Sequence, residues 1–220
     1  MNKQDSALTR QEKQMRNKGI ISRDTHGDKL RKSKSSNRIR VVFQNINGLM
    51  PKDQEDKKEF IREFINEYKI DVFMMAEVNA NWKIVGRKED LRSLAKKWFQ
   101  NSRVAVAHNL LGGSTTSHQP GGVSSIVTGD LSASVVKSYN DGRLIGRWCS
   151  STLRGSNNSI TRIVTVYVPC NSKLHGCKTV FAQHQAALLR SKVGKGVVKR
   201  FWLDFWSEID KWLEKGERLV

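Results

Sequence analysis

The sequence is poor in cysteine and has no long apolar run. Its 220 residues include three cysteines, Cys149, Cys170 and Cys177, and no C-x-x-C pair. This usage argues against a disulfide framework or a zinc site and indicates reduced thiols in an intracellular protein. No stretch approaches the roughly 18 apolar residues of a membrane span, and the amino terminus lacks the apolar region of a secretory signal. We therefore predict a nuclear or cytoplasmic protein that is not secreted.

Acidic residues are also scarce relative to basic ones. The chain carries 39 Lys and Arg against 21 Asp and Glu, for a formal net charge of +18, and its pI is near 10.1. Such a charge favours a polyanionic partner, most simply DNA bound through its phosphate backbone. A basic tail that is solvated and binds nothing specific explains the same composition, so this alternative stays open.

The first 38 residues are polar, basic and poor in large apolar side chains. Their densest basic cluster spans residues 29–34. This composition predicts a disordered tail over residues 1–38. Its role is either that of a nuclear-targeting or phosphate-binding arm, or only that of a flexible extension. The folded region then begins at Ile39 and runs to Val220, a length sufficient to bury a core.

Polar side chains follow two predicted strands of this region. The run Val41–Phe43 is apolar and β-branched and passes into Asn45, after which Asn47 begins a turn. A second apolar run, residues 70–76, passes into Glu77, and an amphipathic helix is predicted between the two runs. If the strands are parallel neighbours, Asn45 and Glu77 emerge at the same edge of one sheet. An amide and a carboxylate there suit a hard divalent cation that handles phosphate.

The remaining pattern predicts further alternation of helices and strands. Helices are predicted over residues 54–68, 89–99, 179–190 and 200–213, and strands over 103–108, 123–127, 133–138, 147–153 and 160–168. The last helix carries an aromatic stripe from Phe201 to Leu213, which we interpret as core. Arg143 and Arg147 lie near a strand start, where they are candidates for phosphate contacts or simply surface arginines.

Three sequence blocks together resemble a known family. N-I-N-G-L at residues 45–49, A-E-V-N at 76–79 and V-Y-V-P at 166–169 resemble, in order and spacing, motifs of the endonuclease/exonuclease/phosphatase superfamily. Gly121-Gly122-Val123 resembles the glycine-containing approach to one of its middle strands. The nearest resemblance is to the apurinic-like endonuclease domain of non-LTR (LINE-type) retrotransposons. The resemblance covers residues 39–220 and implies an α/β fold, a four-layer α/β/β/α sandwich.

The resemblance also implies roles for individual residues. In that family the first Asn, here Asn45, lies in the active site, the Glu, here Glu77, binds catalytic Mg²⁺, and the Tyr, here Tyr167, lies near the scissile phosphate. Asn47 is a further candidate for contact with phosphate or DNA. Cys170 stands where the family has an Asn, and a thiol is a poor substitute for an amide. Asn171 follows immediately and is the remaining candidate for that phosphate contact.

Two family motifs have no counterpart in this sequence. The family's G-D-x-N and its later Asp-His pair position the water and stabilise charge, and neither occurs before the sequence stops at Val220. We therefore expect a domain truncated at its carboxyl terminus, inactive as this fragment. Its expected partners are DNA, the missing half of the domain and a reverse transcriptase. The alternatives are a phosphatase branch of the same superfamily and a non-catalytic basic nucleic-acid-binding protein.

Overall fold

The computed structural model describes residues 31–49, 55–86, 88–111, 116–171, 179–192 and 196–220. The strands are β1 (Val41–Asn45), β2 (Val72–Ala76), β3 (Ser102–Ala107), β4 (Val123–Thr128), β5 (Val135–Asn140), β6 (Trp148–Arg154), β7 (Ile160–Val166) and β8 (Arg218–Leu219). The α-helices are α1 (Glu55–Glu67), α2 (Trp82–Val85), α3 (Leu91–Trp98), α4 (Val180–Arg190) and α5 (Val197–Glu214), and 3₁₀ turns span Gly129–Ser134 and Ser156–Asn158.

The first sheet has the strand order β1-β2-β4-β3. Strands β1 and β2 are parallel and in register from Val41 opposite Val72 to Asn45 opposite Ala76. The helix α1 connects them, as the alternation of an apolar strand, an amphipathic helix and a second apolar strand predicted. Both strands therefore end at the same edge of the sheet, which places Glu77 beside Asn45.

The second sheet has the strand order β5-β6-β7-β8. Strands β5, β6 and β7 form an antiparallel meander, and β8 pairs in parallel with β7 through Arg218 and Leu219. Strand β7 ends at Val166, so Tyr167 follows directly at the strand end. Its backbone N–H still bonds to the second sheet, at Arg147 O.

Apolar contacts stack the two sheets between helices. Side chains of α1 and α3, including Ile61, Phe64 and Leu91, are buried in one cluster with Phe73 of β2. On the other side Phe201, Phe205 and Trp212 of α5 bury against Trp148 of β6. The space between the sheets is filled mainly by small and β-branched residues, namely Val72, Ala76, Ala105, Ala107, Val123, Val127, Cys149, Leu153 and Ile163. The prediction of an α/β sandwich with outer helix layers and two central sheets is confirmed.

The structure differs from the predicted elements at three places. The strand predicted from residue 133 begins at Val135, because a 3₁₀ turn ends at Ser134. The short helix α2 was not predicted. The aromatic stripe of α5 is split, since Phe201 and Phe205 are buried whereas Trp202 and Trp206 are exposed; the prediction that the whole stripe is core was therefore wrong.

The chain contacts the domain before the predicted start of the folded region at Ile39. Lys34 Nζ lies 2.6 Å from both carboxylate oxygens of Asp71, and Arg40 donates to Ser33 O. Most of the predicted tail, residues 1–30, lies outside the described residues. Within the described parts of the chain no helix has the length and apolarity to cross a membrane.

Candidate active site

Backbone hydrogen bonds join the loops that follow β1 and β2. Ile46 N–H donates to Ala76 O at 3.1 Å, Gly48 N–H to Glu77 O at 2.6 Å and Leu49 N–H to Val78 O at 2.7 Å. The ladder of the parallel strands thus continues past their ends into both loops. As a result the N-I-N-G-L and A-E-V-N segments, separated by α1 in the sequence, form one surface.

Glu77 and Tyr167 meet across the two sheets. The phenol Oη of Tyr167 donates to Glu77 Oε1 at 2.7 Å, although the residues are 90 positions apart. Burial raises the pKa of Tyr167, and the hydrogen bond to the Glu77 carboxylate raises this pKa further. The phenol therefore stays protonated at neutral pH and acts as a fixed donor at the site.

Left-handed backbone conformations shape the surface around this contact. Asn47, Glu77 and Asn79 have φ values of 44°, 52° and 53°, a region that costs energy for residues other than glycine. The turn at Asn47 also brings its N–H to Asn45 Oδ1 at 3.1 Å. Asn45 is exposed, and since its Oδ1 accepts this bond, its side-chain NH₂ is the part of the amide that can donate to a ligand.

Lys57 of α1, which sequence reasoning missed, supports the first loop. Its ammonium donates to the carbonyl oxygens of Ile46 (2.7 Å), Asn47 (3.2 Å) and Gly48 (3.1 Å). Burial lowers the pKa of Lys57. Three carbonyl dipoles converging on one cation fix the loop on the helix. The sequence pattern of α1 indicates only its apolar face, and nothing in the position of Lys57 distinguishes it from the other lysines of the helix.

Asn79, also missed as a functional residue, connects the second loop to the turn before β4. Its Oδ1 accepts from Gly121 N–H at 2.7 Å and its own N–H donates to Gly121 O at 2.8 Å. Gly121 has φ +90°, and a Cβ there would lie 2.7 Å from a methyl carbon of Val180. Only glycine fits. Asn79 ends the A-E-V-N block and Gly121 begins the Gly121-Gly122-Val123 block. Their membership of these blocks is the sequence signal that could have identified them.

The structure does not bring the two candidate arginines to this surface. Arg147 is 2% exposed; it pairs with Asp204 at 2.7 Å and stacks on the Trp148 ring at 4.2 Å. The expectation that Arg147 contacts phosphate is therefore corrected, because its guanidinium is buried in an internal ion pair. Arg143 is partly buried and bonds to the same Asp204 carboxylate. Asn171 is exposed beside Cys170, and no described contact connects it to Glu77.

The described residues offer few metal ligands at this surface. Glu77 Oε1 accepts from Tyr167, and among the described residues no hydrogen bond occupies its Oε2. No group of three or more His, Cys, Asp or Glu side chains suited to a metal lies within the described residues. A single carboxylate beside amides suits Mg²⁺, which keeps several water ligands and is completed by substrate phosphate, better than a cation that needs a full protein cage.

The sequence matches no protein-family model, and no curated protein matches it. Several solved structures show limited similarity to it. A 3′ phosphatase from Neisseria bound to a product DNA hairpin has TM-score 0.40 and 11% identity over 60% of this chain and 42% of its own. An AP endonuclease from Leishmania major has TM-score 0.42 and 15% identity over 62% and 41%. An endonuclease/exonuclease/phosphatase family protein from Leptotrichia buccalis has TM-score 0.40 and 16% identity over 70% and 61%.

These structural neighbours are members of the endonuclease/exonuclease/phosphatase superfamily. The chain spans about two fifths of the length of the first two proteins. Similarity at this level carries no conclusion about what this chain does. The chemistry of this chain therefore rests on its own residues.

Proposed function

We propose that this chain is a Mg²⁺-dependent phosphodiester hydrolase domain of the endonuclease type that binds DNA phosphate at the joined ends of β1, β2 and β7. The observation that carries the proposal is the contact of Tyr167 with Glu77, beside Asn45. Glu77 and Tyr167 follow strands of different sheets, and Asn45 ends the strand that pairs with the one before Glu77; all three are residues that the sequence motifs selected. A packing role alone does not require a carboxylate, a phenol and an exposed amide to converge.

Each residue has a distinct task in this proposal. Glu77 would hold the cation through its carboxylate, whose rotation Tyr167 fixes by donating to Oε1. Asn45 donates its NH₂ to a phosphate oxygen. Bound Mg²⁺ polarises a phosphate oxygen and stabilises the charge that develops on it. The described residues thus bind and orient a phosphodiester.

Neither Tyr167 nor Cys149 supplies a base that could take a proton from the attacking water. Tyr167 is a poor base because its phenol remains protonated. Cys149 is no nucleophile, since burial raises the pKa of its thiol to about 12. We therefore propose that the chain by itself binds its substrate but turns it over poorly.

The origin that we propose is a non-LTR retrotransposon, because N-I-N-G-L followed by A-E-V-N is the pattern that favours that branch. In this proposal the further partners are the rest of the domain and a reverse transcriptase. The test is the genomic reading frame downstream of Val220. A G-D-x-N motif, then S-D-H, then a reverse transcriptase would support the origin, and unrelated coding sequence would overturn it.

The function is tested by NMR titration of Mg²⁺ with and without thymidylyl-thymidine, a minimal DNA phosphodiester. We expect the amides of residues 45–49 and 77–79 to shift cooperatively when both are present. Glu77→Gln should abolish these shifts, whereas the control Glu89→Gln, an exposed carboxylate away from these loops, should retain them. Equal shifts in wild type and Glu77→Gln contradict the proposal.

The same titration separates the two alternative functions. A phosphatase-branch protein should respond to an inositol phosphate monoester more strongly than to the diester. A non-catalytic basic nucleic-acid-binding protein should bind duplex DNA equally with Mg²⁺ or with EDTA, and equally in the wild type and in Glu77→Gln.

A further inference from the structure

The helix α5 carries exposed apolar side chains beside its buried apolar face. Phe201, Phe205 and Trp212 bury against the second sheet. On the outer side Trp202 is 40% exposed, Leu203 and Trp206 are each 55% exposed and Leu213 is 54% exposed. A surface helix of a monomer normally has one apolar stripe and a polar opposite face.

The outer residues have the spacing of a helix-pairing seam. Trp202, Trp206 and Leu213 are separated by four and seven residues, which places them along one line of the helix surface. The indoles of Trp202 and Trp206 stack, with ring centroids 6.2 Å apart and planes 25° apart. This pair forms a broad, rigid centre for the seam, of the kind that dominates interface energetics. We call these three residues, Trp202, Trp206 and Leu213, the outer seam.

Charge along the outer seam determines which occupant fits it. On a helix with 100° between residues, Lys199 and Glu214 both lie on the side of the outer seam that carries Leu203. Lys199 is near the amino end and Glu214 is at the carboxyl end, about 22 Å apart along the axis. In an antiparallel pair of two such helices, each Lys199 meets the other copy's Glu214. In a parallel pair the two copies of each residue lie on opposite sides of the seam, so Lys199 and Glu214 form no pair.

We propose that the outer seam is a dimer interface that pairs α5 of two copies of this chain in antiparallel orientation. The twofold axis passes close to Trp206, so that Trp206 meets its counterpart and each Lys199 forms an ion pair with Glu214 of the second copy. Antiparallel packing also brings opposite helix-dipole ends together. The interface lies on the helix layer of the second sheet. It is independent of the Glu77 surface, and it does not depend on the proposed function.

The experiment is sedimentation velocity of the full chain over a concentration series at 0.15 M and 0.5 M salt, with nucleic acid removed and its absence checked by absorbance. We expect a concentration-dependent dimer. Trp206→Glu should raise the dimer dissociation constant at least about tenfold, as expected for a central aromatic of an interface. The control Leu189→Glu, also an exposed leucine on a helix, should leave it unchanged. Circular dichroism melts should show that the variants remain folded.

Charge exchange tests the orientation. Lys199→Glu and Glu214→Lys should each weaken the dimer, and the double variant K199E/E214K should restore it, because the pairs are then reversed but complementary. Restoration should be greater at 0.15 M than at 0.5 M salt, since salt screens these pairs. A monomer at every concentration, a dimer insensitive to Trp206→Glu, equal weakening by Leu189→Glu, or a double variant no tighter than the single ones would overturn the proposal.

Discussion

At the scale of single residues, the hydrogen bond from Tyr167 to Glu77 connects the two sheets at the candidate site. Burial and this bond both raise the pKa of Tyr167 above its usual value near 10. We predict that Glu77→Gln lowers the pKa of Tyr167, because the charged acceptor is lost, yet leaves it above 10 because burial remains. The measurement is a pH titration followed by NMR of ¹³Cζ-labelled tyrosine.

The assignment of that signal needs a control, because the chain contains three tyrosines. Tyr167→Phe identifies the resonance by its disappearance, and Tyr139→Phe should leave it in place. If Tyr167 titrates at the same pH in the wild type and in Glu77→Gln, the phenol does not bond to that carboxylate, and the proposed positioning of Glu77 fails.

Lys57 connects the N-I-N-G-L loop to α1 through three carbonyl oxygens. We predict that Lys57→Met, which keeps the aliphatic stem, lowers the free energy of unfolding by about 1–2 kcal/mol, the usual loss for hydrogen bonds made by a charged group. Amide exchange at Gly48 and Leu49 should accelerate because their loop loses its attachment. The measurements are urea unfolding and hydrogen exchange.

Lys96→Met is the matched control for this change, since Lys96 is exposed on α3. It should alter neither the free energy of unfolding nor the exchange at Gly48 and Leu49. Unchanged exchange in Lys57→Met would mean that the bonds between the two loops hold this surface without the lysine.

At the scale of elements, Asp204 attaches α5 to the loop before β6. It accepts from Arg143 and Arg147 and pairs with Arg200 one turn earlier on its own helix. Removing its charge leaves Arg147, 2% exposed, with only the longer 3.6 Å pair to Asp141. We predict that Asp204→Asn lowers the free energy of unfolding by about 3–5 kcal/mol, as for other broken buried pairs. Asp210→Asn on the same helix, at an exposed position, should change it by less than about 0.5 kcal/mol.

The pH dependence of this effect has a defined sign. Burial by itself raises the pKa of Asp204, but the hydrogen bonds from Arg143, Arg147 and Arg200 outweigh burial, and the net pKa lies well below its usual 3.8. Because the pKa of Asp204 is lower in the folded state than in the unfolded state, its carboxylate contributes its full stabilisation above pH 3.8. This stabilisation is lost progressively as the pH falls from 3.8 through the folded-state pKa. The difference between wild type and Asp204→Asn in urea unfolding should therefore be constant from pH 7 to about 5 and shrink below about pH 4. A difference that grows on acidification would contradict this assignment.

The sequence predicts some elements of this fold better than others, for physical reasons. Local periodicity is enough for α1 and β2, because α1 buries one apolar face on the first sheet and β2 is apolar along its whole length. It also places Asn45 and Glu77 together, since parallel strands end at the same edge. It does not predict the burial of Arg147, because an arginine enters a core only when partners distant in sequence, such as Asp204, neutralise it. For the same reason the sequence does not predict the hydrogen bonds of Lys57 or the contact of Tyr167 with Glu77, since their partners come from other elements.

At the scale of the whole molecule, the net charge of +18 predicts binding to nucleic acid through phosphate. We predict that the affinity of the chain for two unrelated DNA duplexes is similar and falls steeply with salt, because counterion release is independent of base sequence. Deleting residues 1–30 should reduce the salt slope, since part of the charge lies there. The measurement is fluorescence anisotropy across a salt series. Binding that does not respond to salt, or no binding at low salt, contradicts the prediction.

Binding of this kind does not by itself cleave DNA. We predict that the purified chain leaves a supercoiled plasmid intact in Mg²⁺. In the proposed function Glu77 and Asn45 orient a phosphate, but Tyr167 stays protonated and supplies no base for water. A missing acid or base typically costs about 10² to 10⁴ in rate, and a loop displaced by about 1 Å costs about 100-fold more. The assay compares wild type with Glu77→Ala from the same purification, which separates intrinsic cleavage from a contaminating nuclease. Nicking by the wild type that disappears in Glu77→Ala would show that the described residues already form a complete catalytic site.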